Sequence, residues 1–391
     1  MTKHGISNNE THAKTRPFIL FRYSRFRYSL FLRQCPFGAT AKRGSDLMTD
    51  GSVSNRWGAS RMLMTMLACI ALWAAIAACC VCVGSTTRGF HWPVTTEQLR
   101  YRGEIVLLAS LIGAALSSAG VVYQAILRNP LADPYLLGVS SGAMLFSFLW
   151  RFSSLALLAS AGAALSQQAF SFAGALVAIA IVFLLSMRRG KLEPITLLLV
   201  GVIVNSINAS IFLLLNTLNR DITGGSGGPL SFLVGGIQTN LTTTQEVSAG
   251  IVVAICWSIL IYLAGQLNVA ALGEAEAVSL GIRIHRLRWT ALITASLMTA
   301  AVVAISGPIG FVGLVCPHVA RLIVGTDQRR LLPVATAMGA ALLAVADALS
   351  RQLSSTSLAQ TILPVGVLTG LLGGPFYLVL LWKARRRSQS I

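Results

Sequence analysis

Cys79, Cys80 and Cys82 form the densest group of metal-binding side chains in the 391-residue chain. A structural zinc site takes four Cys or His ligands, and no fourth ligand lies beside these three. In an apolar run the cluster reads as small hydrophobes packing one end of a helix. The five histidines are scattered, so no depth of the chain collects the His, Asp or Glu that a membrane-embedded enzyme needs. No P-loop, HExxH or Gly-x-Ser-x-Gly pattern occurs. The glycines Gly224, Gly225, Gly227 and Gly228 lack the strand and lysine of a phosphate cradle and read as an external loop. The chain therefore offers no catalytic residue, no metal site and no bound cofactor. If ATP with its Mg²⁺ is used, another chain binds it.

The polar residues that remain sit where apolar runs break. In LRNPLADPYLLGVSSGA (Leu127–Ala143), Arg128, Asn129, Pro130, Asp133 and Pro134 stop helix continuation. From Gly138 onward, small residues permit close backbone approach. Pro308, Gly310 and Pro317 interrupt SGPIGFVGLVCPHVARL (Ser306–Leu322) in the same way. Broken helices at membrane depth are tolerated where they are packed in protein or line a cavity; a solute path and a kinked packing helix both fit. Asn205, Ser206 and Asn208 lie mid-run, as cross-helix hydrogen-bonding groups or as a polar wall of such a path. His318 and Arg321 fit snorkelling or helix capping. The longest polar interruption, 266–287, predicts two short helices broken at Gly273 and Gly281, either a surface knob for a partner or a solvated loop.

These segments need a membrane around them. The chain is 54% hydrophobic and 11% charged, with mean hydropathy +0.71, whereas soluble domains carry about 25% charged residues. Apolar runs near 62–84, 103–125, 135–151, 167–187, 194–218, 245–265, 288–306, 308–325, 331–351 and 364–382 predict an all-α integral membrane protein of ten transmembrane helices. Placing both termini in the cytoplasm puts 14 Lys and Arg after residue 61 on the inside and six on the outside, as the positive-inside rule requires. The net charge of +18 is thus topological, and no nucleic-acid stripe is expected. Residues 1–61 hold 11 of the 31 Lys and Arg. They read as a basic segment at the membrane surface, or as sequence ahead of a true start at Met48 or Met62; residues 62–391 form the ten-span domain.

Four segments carry a resemblance: LRNPLADPYLLGVSSGA, LGEAEAVSLGI (272–282), SGPIGFVGLVCPHVARLIVGTDQRRLLP and LPVGVLTGLLGGPF (363–376), in order between about Leu99 and Trp382. Together they resemble the iron-chelate and vitamin B12 permease family of bacterial ABC importers, which have the type II fold. The resemblance implies a subunit of the inner membrane that pairs with a second copy of itself. Two cytoplasmic ATPase subunits and a periplasmic or lipid-anchored substrate-binding protein would complete the assembly, with membrane lipid around it. It places Leu272, Gly273, Glu274, Ala277 and Gly281 on coupling helices that meet the ATPase, and Asn205, Ser206 and Asn208 on the translocation path. Arg100 matches a docking arginine for the binding protein. The family's LRLPR is LRYRG here, so the second docking position is Gly103, and Arg102, one place earlier, is the docking candidate in its stead. Arg351 matches another docking arginine and equally suits an i,i+4 pair with Asp347. The implied cargo is a metal chelate, iron–siderophore or haem first and cobalamin next. An ion-coupled secondary transporter is the alternative, although that class needs ionisable groups deep in the bundle. Only Asp347 and Glu104 approach that depth.

Overall fold

The computed structural model describes residues 59–83, 93, 95–150, 167–188, 191–192, 194–218, 235–237, 241–354 and 363–389. The basic N-terminal segment and the glycine run at 224–228 lie outside these residues. The chain divides into Met1–Arg56 and Trp57–Ile391, and the architecture below is that of the second unit.

Its helices are α1 (Ala59–Cys82), α2 (Thr96–Ile126), a 3₁₀ turn (Pro134–Leu137), α3 (Val139–Trp150), α4 (Gln167–Ser186) and α5 (Pro194–Leu218). They continue with α6 (Thr243–Leu272), α7 (Glu274–Ser279), α8 (Ile284–Ser306), α9 (Val312–Val324), α10 (Gln328–Ser354) and α11 (Val365–Gln389). Between α4 and α5 a two-residue antiparallel pair, β1 (Met187–Arg188) and β2 (Lys191–Leu192), closes the turn. Among the described residues, seven helices are long and apolar enough to cross a bilayer: α1, α2, α4, α5, α6, α8 and α10. Three shorter apolar helices lie in α3, α9 and α11. At 1.5 Å per residue, a 13-residue helix such as α9 reaches about 20 Å, short of the roughly 30 Å hydrocarbon core.

Helix α2 is the central post. In its most apolar window 83% of residues are buried, against 11% in α1 and 22% in α5. Glycines set that packing. A Cβ on Gly113 would sit 2.7 Å from the Gly339 carbonyl carbon of α10, and one on Gly339 would sit 2.5 Å from Ser117 Cβ. Bilayers give helices no water-driven reason to associate, so such close backbone contact and interhelical hydrogen bonds hold them together. Ser117 Oγ donates to the Ala335 carbonyl at 2.7 Å, and Tyr123 of α2 shares a 2.6 Å hydrogen bond with Ser296 of α8. Thr336 of α10 meets Ser118 of α2 at 2.8 Å and accepts from the Trp257 indole of α6 at 3.0 Å.

The predicted segmentation departs from the structure at one mechanically important place. Residues 266–287 do not form two separate short helices: α6 runs on without interruption to Leu272, and α7 is the one short helix that follows. The polar residues that suggested a loop are satisfied by a neighbour instead. Asn268 Nδ2 donates to Asp327 Oδ1 at 2.6 Å, and the Gln328 N–H donates to Asn268 Oδ1 at 2.7 Å.

Candidate functional site

The α2–α3 connection is built from side chains that replace helical hydrogen bonds. The Leu127 N–H donates to the Tyr123 carbonyl, and Arg128 then turns the chain at φ 49. Asn129 Oδ1 accepts from the Leu131 N–H at 3.0 Å, and Asp133 Oδ1 accepts from the Tyr135 N–H at 3.0 Å. Pro134 opens the 3₁₀ turn, where its missing N–H costs nothing. Gly138, at φ 78, ends that turn with a Cβ position 3.3 Å from Val204 of α5.

The second break meets the first. Gly307 at φ 68 closes α8, and Phe311 at φ 69 opens α9. The Phe311 N–H is the second backbone donor to the Asp133 carboxylate. A Cβ on Gly313 would lie 2.7 Å from Pro134 Cδ. Pro317 inside α9 cannot donate to the Gly313 carbonyl one turn back. The freed oxygen accepts from Gln124 Nε2 of α2 at 3.4 Å, as does the Leu314 carbonyl. Gln124 Oε1 in turn accepts from Arg321 at 3.1 Å. Arg321 thus braces α9 against α2, a role that snorkelling did not anticipate. Gln124 escaped the sequence reading altogether, although a lone amide in an apolar run signals that a hydrogen-bond partner exists.

Burial pushes the Asp133 carboxyl, in the loop outside the helical spans, up to about 6 from 3.8, against the two backbone N–H groups that hold it down. That displacement corresponds to about 3 kcal/mol. The protonated form is the one the fold favours, so the contribution is fully present below pH 3.8 and is lost as pH rises through about 6. Asp133→Asn keeps the acceptor without the charge. Between pH 4 and 7 the wild-type melting temperature falls relative to that of the variant; parallel profiles would overturn the assignment.

Two of the three polar residues of α5 hold the broken segment in place. Asn205 hydrogen-bonds the Tyr135 side chain, and Asn208 Nδ2 donates to Ser141 Oγ at 3.1 Å. Ser206 is exposed and bonds back to the Val202 carbonyl at 3.0 Å. Two of the three are therefore cross-helix ties, and Ser206 is the one presented on the open face of α5.

At one end of the bundle Arg100 is exposed and pairs with Glu104 at 2.8 Å. Arg102 is buried and donates to the Val81 carbonyl at the end of α1 at 3.3 Å. That bond makes it a cap for α1, and the expectation of a displayed docking group is corrected for this residue. Two residues along a helix is about 200° of rotation, so Arg100 and Arg102 face opposite ways. Arg351 pairs with Asp347 at 2.7 Å, both largely buried. Cys80 lies beside that pair, packed with Val106, Ala344 and Ala348. Cys79 is exposed and Cys82 is buried.

At the other end α7 forms a knob. Gly273 is extended and separates it from α6, and Gly281 at φ 79 ends it. Ala277 is fully buried beneath, while Leu272, Val278 and Leu280 are exposed at 67%, 63% and 65%. Glu274 pairs with Arg288 of α8 at 2.5 Å. Among the described residues no three His, Cys, Asp or Glu side chains gather to hold a metal.

A bundle of membrane-length apolar helices around two interlocked helix breaks, with a rigid apolar knob at one end, defines a multi-pass membrane transporter subunit. Residues 85–383 match the model of the FecCD transport family, and the chain belongs to that family of ABC permeases. It is 38% identical to the hemin transport system permease protein HmuU of Yersinia pestis, over 72% of this chain and 82% of that one. It is 36% identical to the cobalamin import system permease protein BtuC of Halobacterium salinarum, over 71% of this chain and 70% of that one. A solved inward-facing structure of a metal-chelate type ABC transporter superposes with TM-score 0.69 and 28% identity, covering 82% of this chain and 99% of its own.

Proposed function

We propose that this chain is the membrane permease of a binding-protein-dependent ABC importer for a metal chelate, with an iron–siderophore or haem complex first and cobalamin next. In this reading the chain sits in the bacterial inner membrane with ten spans and both termini in the cytoplasm. It pairs with a second copy, with the path between the two. Two ATPase subunits bind ATP and Mg²⁺ and dock on α7, and a periplasmic or lipid-anchored binding protein docks at the opposite end near Arg100. Arg351 joins that docking surface only if it leaves Asp347. The observation that carries the reading is the knob: exposed Val278 on a short helix, with exposed Leu272 and Leu280 flanking it, anchored by buried Ala277 and tied to α8 by Glu274 and Arg288. An apolar patch on rigid structure marks a protein-docking site.

Co-expression with the neighbouring ATPase and binding-protein genes, purification into lipid, and ATP hydrolysis titrated with binding protein loaded with haem, ferrichrome or cobalamin tests it. One loaded protein stimulates hydrolysis. Glu274→Ala combined with Gly281→Pro removes the stimulation, because proline cannot adopt the positive φ of Gly281. Absence of a co-purifying ATPase, with uptake driven by an ion gradient instead, would sink the reading.

A further inference from the structure

Arg128 occupies a backbone position that its own residue type disfavours. It follows the Leu127 cap of α2 at φ 49, the left-handed conformation that helix ends normally assign to glycine. Its guanidinium reaches across 142 residues of sequence and donates to the Ala270 carbonyl at 3.1 Å. Ala270 lies in the last turn of α6, where carbonyls have no helical partner and the helix dipole is negative.

That last turn is a junction. The knob α7 hangs from it through Gly273. Two residues upstream, Asn268 is bonded to Asp327 and Gln328 at the start of α10. Asp327 Oδ1 also accepts from the Arg329 N–H at 3.0 Å, capping α10. The end of α6 is therefore joined to the knob, to the α9–α10 turn and, through Arg128, to the Arg128–Gly138 break. The break is in turn locked to α9 by Asp133 and Phe311, and to α5 by Tyr135 and Asn205.

We propose that Arg128 is a positioning residue that couples the ATPase-facing knob to the broken-helix segment, its guanidinium carrying displacement of the α6 end into the α2–α3 connection. This rests on the ABC permease reading. Glycine suits φ 49 without strain, so a bond that only stabilised the fold would register in Arg128→Gly as a change of melting temperature with uptake per ATP unchanged. A coupling bond makes glycine well folded and poorly coupled.

The test uses the complete complex in vesicles: wild type, Arg128→Gly and Arg128→Lys, with whichever of haem, ferrichrome or cobalamin drives the wild type. Uptake per ATP hydrolysed and the melting temperature are both measured. Arg128→Gly is expected to melt no lower than wild type while uptake per ATP falls about fivefold or more, the lower range of coupling effects. Arg128→Lys, which restores a charged donor, recovers at least half of the loss. Unchanged uptake per ATP in Arg128→Gly overturns the proposal. So does a fall of melting temperature, hydrolysis and uptake in proportion, which marks a structural role. A wild-type complex that takes up cargo on an ion gradient without hydrolysing ATP defeats the permease reading itself, a result separable from failure of the variant.

Discussion

Gly120→Ala removes most of the folded protein from the membrane, whereas Gly103→Ala on the same helix does not. A Cβ at Gly120 would lie 2.6 Å from the carbonyl carbon and 2.8 Å from the Cα of Gly313. These are backbone atoms, so no rotamer change relieves the clash and α2 must move away from α9. Overpacking a tight core costs about 1–3 kcal/mol and sometimes more, and separation of these helices releases further contacts. The Gln124 bond to the Gly313 carbonyl stretches, the Arg321 brace loses its partner, and Pro134 and Phe311 lose the surfaces that lock the two breaks together. A combined loss of roughly 4 kcal/mol is a large share of a typical stability of about 5–15 kcal/mol. Gly103 has open space around its Cβ position, and alanine there gains up to about 1 kcal/mol of helix propensity. Size-exclusion profiles and melting curves of the two variants in detergent decide the matter. Equal yields and melting temperatures would show that α2 and α9 can separate freely.

The helices themselves were legible because the bilayer imposes one solution on an apolar run: every backbone group must bond within its own helix. Where helices are short or broken, that constraint weakens and side chains take over. The third predicted span, 135–151, resolves into a 3₁₀ turn and the 12-residue α3, and the eighth, 308–325, into the 13-residue α9. The knob at Glu274–Ser279 was legible from its glycines and its helix-forming residues. The continuation of α6 through Gln266 and Asn268 was not, because the partner that satisfies Asn268 lies 59 residues away at Asp327. Separation in sequence likewise hides the ties of Asn205, Asn208 and Gln124. A polar residue in an apolar run announces that a partner exists but not which one. Arg102 was misplaced for a different reason: matching the docking pattern along the sequence ignored the helical phase that turns it inward.

Val278→Asp combined with Leu280→Asp abolishes ATPase binding while leaving the permease folded. Both side chains are more than three-fifths exposed, so neither contributes to the core, and substitution at exposed sites shifts stability by only about 0.5 kcal/mol. In a docked complex the same two side chains would be buried, and truncation of a central apolar contact costs about 2 kcal/mol or more. A carboxylate placed there adds the cost of desolvating a charge. Two such positions together weaken binding by roughly 10³-fold, at 1.4 kcal/mol per factor of ten. Co-purification of the ATPase with the tagged permease reads this directly, beside a melting curve that stays at the wild-type value. Retention of the ATPase by the double variant would place docking elsewhere and leave the knob without a partner. The charge-swapped pair Glu274→Arg with Arg288→Glu separates the two duties of α7. It preserves the tie to α8, which spans 2.5 Å, while reversing the charge beside the apolar patch. A knob that acts only through Leu272, Val278 and Leu280 tolerates the swap, and one whose docking also reads the Glu274 carboxylate does not.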